Sequence, residues 1–233
     1  MSEIDTGKNY KQINDEMRAI LARSGRKEDE CTLIAVSKTK PVEMMLPVYE
    51  AGCRDFGENK VQEIMDKYEK MPADTRWHMI GHLQTNKVKY IVDKVYMIHS
   101  VDSVHLAEAI SKEAVKKNVT VRILLEVNVA AEESKFGVTT EECIKFYNEV
   151  AKLPNLEIHG LMTIAPYVED AEENRQYFAL LRQLSVDTGL KNKDNRSVEL
   201  SMGMSGDYRV AVEEGATMIR VGTGIFGERI YSV

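Results

Sequence analysis

Five short stretches of this chain hold residue types that can do chemistry, and each closes an apolar run. They are Ala35-Val36-Ser37-Lys38-Thr39-Lys40, Phe56-Gly57-Glu58-Asn59, His78 to Gln84, Ser201-Met202-Gly203-Met204-Ser205-Gly206-Asp207, and Arg220-Val221-Gly222-Thr223-Gly224. Lys38 is approached through Leu33 to Val36. A lysine at the edge of an apolar surface is partly desolvated, which lowers its pKa and makes it an amine nucleophile. Its partner would be a carbonyl compound. The alternative is an ordinary solvated loop lysine, and Lys40, just before Pro41, is read that way.

The last two stretches suggest an anion site. Ser201 to Gly206 is a glycine-containing turn ahead of a helix expected near Asp207, and Gly222-Thr223-Gly224 reads as a second turn. Backbone N–H groups, two hydroxyls and a helix N-terminus are the parts from which anion sites are made. Either turn alone could equally be a plain connection. Arg220 lies inside the apolar run Met218 to Val221, where a charge needs a partner. That partner is either a carboxylate on a neighbouring strand or the ring of a bound ligand.

Other chemistries fit less well. Gly222 to Gly227 spells GxGxxG, but a dinucleotide fingerprint opens a βαβ unit with an acidic residue about 20 positions on. Six residues follow Gly227, too few for that unit. His78 and His82 flank Gly81 with no third ligand in view, so a hydrogen-bonded histidine is a better reading than a metal site. A serine-nucleophile elbow has no signature here.

The elements that must position these residues alternate along the chain. After a helix over Asn9–Arg23, strands are expected at Thr32–Ser37, Asp55–Gly57, Trp77–Ile80, Val95–His99, Val121–Val127, Leu156–Met162, Ser197–Leu200 and Met218–Val221. Helical patterns fill the intervals: Val42–Ala51, Lys60–Lys70, Thr85–Val92, Ser103–Lys117, Glu141–Leu153, Ala171–Thr188 and Asp207–Glu214. Asp102 and Thr140 are candidate helix starts; Gly52, Gly189 and Gly215 are candidate stops. Strands alternating with helices indicate parallel βαβ units, and eight strands is the number that closes the common barrel. The expected fold is therefore α/β, a single (β/α)8 TIM-type barrel over residues 1–233 with an extra N-terminal helix. On periodicity alone a doubly wound open sheet stays open. In the barrel, functional groups gather where strands end, and phosphate is usually held after strands seven and eight. Glu132–Lys135 and Leu190–Arg196 read as solvated polar loops.

Bulk properties narrow the class. The 233 residues are 43% hydrophobic and 29% charged, an ordinary globular mix. A net charge of −6 gives no footprint for nucleic acid. Cys31, Cys53 and Cys143 are odd in number and far apart, so neither disulfides nor zinc is indicated. Without an apolar N-terminal signal or a run of roughly 20 apolar residues, the expectation is a cytoplasmic monomer with no membrane contact.

These stretches also resemble a known family. Ala35-Val36-Ser37-Lys38, Phe56-Gly57-Glu58-Asn59 with Gln62-Glu63, Trp77-His78, Ile80-Gly81, Leu83-Gln84 with Asn86-Lys87, Ser134-Lys135 with Gly137, Gly160-Leu161-Met162, Leu200 to Ser205 with Asp207, and Arg220-Val221-Gly222 with Phe226-Gly227 are similar to the pyridoxal phosphate homeostasis protein family, once labelled proline synthase co-transcribed proteins. The segments run from about residue 33 to 228. That family resembles the N-terminal barrel of alanine racemases and binds pyridoxal 5′-phosphate (PLP) without an established metabolic reaction. The resemblance implies that Lys38 carries PLP as a Schiff base. It also implies that Ser205, Gly222 and Thr223 bind phosphate, that Arg220 meets the pyridine nitrogen, and that Asn59 and Met204 line the cofactor. Gly206, where relatives carry an acid, and Gly224, where they often carry alanine, are departures expected not to touch the chemistry.

Two functions compete on this basis. One is a carrier or regulator in intracellular PLP homeostasis, serving PLP-dependent apo-enzymes. The other is an amino-acid racemase or related PLP enzyme. An arginine at the pyridine nitrogen disfavours ring protonation and weakens the ring as an electron sink. Racemisation also needs a second proton donor, which racemases take from an extra C-terminal domain of a neighbouring subunit. Since the chain ends at Val233, soon after the eighth strand, that domain is not expected, and the carrier is favoured.

Overall fold

A computed structural model describes residues 4–132, 134–190 and 198–228. Eight parallel strands close a barrel in sequence order, β1 pairing with both β2 and β8. They are β1 (Thr32–Val36), β2 (Asp55–Glu58), β3 (Arg76–Met79), β4 (Met97–Val101), β5 (Val121–Glu126), β6 (Leu156–Met162), β7 (Glu199–Ser201) and β8 (Met218–Val221). Closure removes both sheet edges and excludes the open-sheet alternative. The helices are α1 (Thr6–Arg23), α2 (Val42–Glu50), α3 (Val61–Tyr68), α4 (Val88–Ile91), α5 (Val104–Lys117), α6 (Cys143–Val150), α7 (Arg175–Asp187), α8 (Tyr208–Glu213) and α9 (Thr223–Phe226).

Two apolar layers hold the barrel together. Helices pack on the outside through residues such as Val48, Ile64, Ile110, Phe178 and Ala211. A separate cluster of Ile34, Met97, Leu124, Met162 and Met218 comes from five different strands. The extra helix α1 is fixed by the stripe Tyr10, Ile13, Met17, Ile20 and Leu21, at helical spacing. Asp5 caps it by accepting from the Lys8 amide, and the Asn9 amide donates to the carbonyl of Ile225, tying α1 to α9.

Several boundaries differ from the sequence reading for physical reasons. The fourth strand runs Met97–Val101 rather than Val95–His99. Buried His99 and Ser100 look like strand-ending polar residues, yet both are satisfied: His99 by His78 and Ser201, Ser100 by the carbonyl of Gly81. Ser103 rather than Asp102 caps α5, and Thr139 rather than Thr140 accepts from the Glu142 amide before α6. The expected Thr85–Val92 and Ala171–Thr188 helices each open with a tighter 3₁₀ turn. The helix stops are as expected, with Gly52, Gly189 and Gly215 at positive φ. The expected strand start at Ser197 lies outside the described residues, as does the Leu190–Arg196 loop beyond Leu190.

Candidate functional site

Lys38 follows β1, where the chain turns sharply. The Lys40 amide donates to the Ser37 carbonyl, and Thr39 sits at φ 63°. A non-glycine residue in the left-handed region costs about 1 kcal/mol or more and needs anchoring. The anchor is a polar cluster from β2 and α3. The Thr39 amide donates to Glu63 at 2.6 Å, and the Ser37 hydroxyl donates to Glu58 at 2.6 Å. The Lys67 ammonium donates to Glu58, Glu63 and the Ser37 carbonyl at 2.7, 3.1 and 3.0 Å. Both neighbours of Lys38 are thereby clamped. Burial pushes the Glu58 carboxyl up to about 7, against the pull of Lys67 and Ser37.

Beside Lys38 opens a cavity of about 780 Å³. All seven expected site residues border it: Lys38, Asn59, Met204, Ser205, Arg220, Gly222 and Thr223. Its walls include the apolar Val36, Ile80, Ile164 and Ala165. Gly81 lets β3's end approach Asn59 closely; a Cβ there would lie 2.6 Å from the Asn59 carbonyl oxygen.

Arg220 lies in β8 opposite Ile34 of β1, below the level of Lys38. Its guanidinium is buried and donates to the Ser201 hydroxyl at 2.6 Å and the Thr163 carbonyl at 2.8 Å. Its partners are thus a hydroxyl and a main-chain carbonyl rather than the carboxylate considered above. Glu126 and Asp207 act on it only through the field. Burial lowers its pKa to about 10, which leaves it cationic at neutral pH.

The Ser201–Asp207 loop is held by its last residue. Asp207 accepts from the Met204 amide at 2.7 Å and from the Asn174 amide at 2.8 Å. Gly203 is at φ 89°, and a Cβ on it would meet that of Ala211 at 2.5 Å, so only glycine fits this turn. The Ser205 hydroxyl oxygen accepts from the Gly222 and Gly224 amides at 3.2 and 3.3 Å. The expected Gly222-Thr223-Gly224 turn is in fact the start of the one-turn helix α9.

Other residues at the site escaped the sequence reading. Lys40 is not simply solvated: its ammonium donates to the carbonyls of Phe226, Gly227 and Glu228, capping α9. Lys135, placed in a solvated loop, borders the cavity and donates to Glu132 at 2.6 Å. Gly206 borders the cavity as well, and the Gly224 amide reaches Ser205, so both departures sit at the site. Asn174 borders it with a buried side-chain oxygen that has no hydrogen-bond partner among the described residues. His78 is hydrogen-bonded, as expected, to Asp55 and His99. His82 meets Asp102 at 3.2 Å and stacks on Phe136.

Three cations (Lys38, Lys135 and Arg220) therefore share a cavity with a hydroxyl- and glycine-rich edge and apolar walls. An apolar ring bearing a carbonyl and an anionic group fits these donors, and the orphan oxygen of Asn174 adds an unused acceptor. No helix among the described residues is long and apolar enough to cross a membrane.

The chain is similar to known proteins over nearly its whole length. Residues 9–230 match the model of the alanine racemase N-terminal domain. The pyridoxal phosphate homeostasis protein of Aquifex aeolicus is 45% identical over 94% of this chain and 96% of its own. The Escherichia coli protein of the same name is 38% identical over 98% of both chains. The crystal structure of PipY from Synechococcus elongatus with PLP bound is 36% identical, with a TM-score of 0.77 over 91% of this chain and all of that one.

Proposed function

The chain belongs to the pyridoxal phosphate homeostasis protein family, and we propose that it holds PLP as a Schiff base on Lys38 and serves intracellular PLP homeostasis as a carrier rather than an enzyme. One observation carries the residue assignment: a lysine, an arginine and a serine/glycine/threonine edge, far apart in sequence, border one cavity at the ends of the strands. When bound, PLP supplies an aldehyde for a lysine amine and a ring able to take up electrons.

The residues divide that work. Lys38 offers the amine, fixed by the clamp on Ser37 and Thr39. Ser205, from the loop after β7, and Gly222 and Thr223, at the start of the α9 turn pinned by Lys40 and α1, offer donors to the phosphate. Arg220 offers N–H donors to the ring nitrogen, and its positive charge disfavours a proton there. Asn59 and Met204 flank the ring. Such a site binds PLP firmly while leaving it chemically quiet. Tyr167 borders the cavity but is 98% exposed, so its hydroxyl stays in water instead of being packed against the site as a racemisation acid needs.

We place the protein in the cytoplasm as a monomer, where Cys31, Cys53 and Cys143 stay reduced, with PLP-dependent apo-enzymes as recipients. The test uses the loaded full-length protein. It is expected to reactivate a PLP-dependent apo-enzyme and to turn over L- or D-alanine far below the usual enzyme range of about 1–1000 per second. Brisk racemisation, lost in Tyr167→Phe, would overturn the carrier reading.

A further inference from the structure

The barrel interior holds a chain of hydrogen bonds that the PLP reading leaves unused. It runs from Arg220 at the cavity to Asp55 at the start of β2. The Arg220 guanidinium lies 2.6 Å from the Ser201 oxygen, which lies 2.9 Å from His99 Nδ1. His99 Nε2 is 2.9 Å from His78 Nδ1, and His78 Nε2 is 3.0 Å from Asp55 Oδ1. Arg76 closes the far end, its Nε 2.7 Å from the same Asp55 oxygen. Ser201, His99 and His78 are fully buried.

With both histidines neutral, the two ends fix every proton between them. A carboxylate only accepts, so His78 Nε2 carries a proton. A neutral His78 then accepts at Nδ1, so His99 donates from Nε2. A neutral His99 accepts at Nδ1, so the Ser201 hydroxyl donates to it. Ser201 is left with lone pairs, which suits a guanidinium that only donates. The opposite polarity would need either a protonated Asp55, although Arg76 and His78 hold that carboxyl below its ordinary range despite burial, or an imidazolium at His78 donating from both ring nitrogens inside the buried chain. An imidazolium at His99 would be buried beside Arg220, and burial, with His78 and Arg220, keeps its pKa well below the ordinary histidine value.

We propose that Ser201, His99, His78 and Asp55 form a one-way relay of positioning residues that sets the electronic state of the bound ring. This rests on reading the cavity as a PLP site. Because the Ser201 hydroxyl donates its hydrogen to His99, Ser201 presents only lone pairs to Arg220. Arg220 is held in one orientation, with its remaining N–H groups available to the cavity. Every hydrogen in the relay points away from the ring, so no proton passes along it to the pyridine nitrogen. The nitrogen can only accept, and the quiet cofactor is a property of the whole barrel axis rather than of Arg220 alone.

The first test needs no cofactor. Nitrogen-15 NMR of histidine-labelled full-length protein at neutral pH is expected to show His78 and His99 as neutral Nε2–H tautomers. An Nδ1–H tautomer or an imidazolium at either position overturns the relay. The second test uses ¹⁵N-ring-labelled PLP. His99→Gln can accept from Ser201 and donate to His78, so it is expected to keep the wild-type ring-nitrogen shift. His99→Phe is expected to move that shift and to release PLP about tenfold faster, as loss of roughly one hydrogen bond implies. Identical ring shifts in all three proteins overturn the relay. Failure of wild-type protein to bind PLP would sink the PLP reading and leave the tautomer result to judge the relay's polarity.

Discussion

The Lys67 ammonium lies 3.0 Å from the carbonyl oxygen of Ser37, the residue just before Lys38. It also lies 2.7 Å from the buried Glu58 carboxylate, whose other oxygen has no partner among the described residues. A buried cation thus holds the backbone that presents the reactive lysine. Removing one member of a buried ion pair costs roughly 3–5 kcal/mol, because the other charge is stranded. Lys67→Met is expected to lose about that much in denaturant unfolding. The double variant Lys67→Met/Glu58→Gln is expected to recover most of it, since no charge is left stranded at the buried position 58 and the half-buried Glu63 keeps its bond from the Thr39 amide. Equal losses in both would show that the pair does not act as a unit.

The phosphate end allows graded tests. Thr223→Val keeps shape and removes a hydroxyl, which is worth about 1.5–3 kcal/mol toward a charged acceptor, or roughly 10- to 150-fold in PLP affinity. Ser205→Ala is expected to cost less, because it also releases the Gly222 and Gly224 amides that Ser205 now receives. Equilibrium binding of PLP and of unphosphorylated pyridoxal separates the effects. If wild type binds both equally well, the phosphate assignment is wrong.

How much of this could be read from the chain depends on the range of each interaction. Strand count, barrel closure and the cavity-facing ends follow from local alternation of apolar runs and helical stretches. Lys38, Arg220 and the Ser/Gly/Thr edge stand out because polar residues close apolar strands. Lys40 gave no such signal, since its partners lie 186 to 188 residues further along. The His99–Ser201 bond spans 102 residues, so His99 read only as the end of a strand. The α9 turn is not legible in the sequence, because four residues are too few to show a helical period.

Lys40 therefore yields a prediction of its own. Lys40→Met removes the cation that caps three carbonyls at the end of α9. PLP affinity is expected to fall about tenfold, the loss of one charge-assisted contact, while pyridoxal affinity is nearly unchanged. An equal fall for both ligands would mean that Lys40 acts on the Lys38 end instead.

Glu126 should leave a mark on stability. Burial, with Asp102 nearby, pushes its carboxyl up to about 7, against the pull of Arg220. A raised folded-state value means that folding takes up a proton, so the contribution is complete below about pH 4.5 and is lost as pH rises through about 7. The loss is on the order of 3 kcal/mol. In urea unfolding at pH 5 and pH 8, Glu126→Gln is expected to flatten the wild-type decline by that order. Parallel declines in the two proteins would remove Glu126 from the account.

The covalent link is the most direct test. Full-length protein loaded with PLP is reduced with borohydride, digested and mapped by mass spectrometry. The pyridoxyl mass is expected on Lys38, and Lys38→Ala is expected to lose the visible absorption of the bound cofactor while unfolding at the same denaturant concentration. A label on Lys40, Lys60 or Lys135 with Lys38 unmodified would contradict the account.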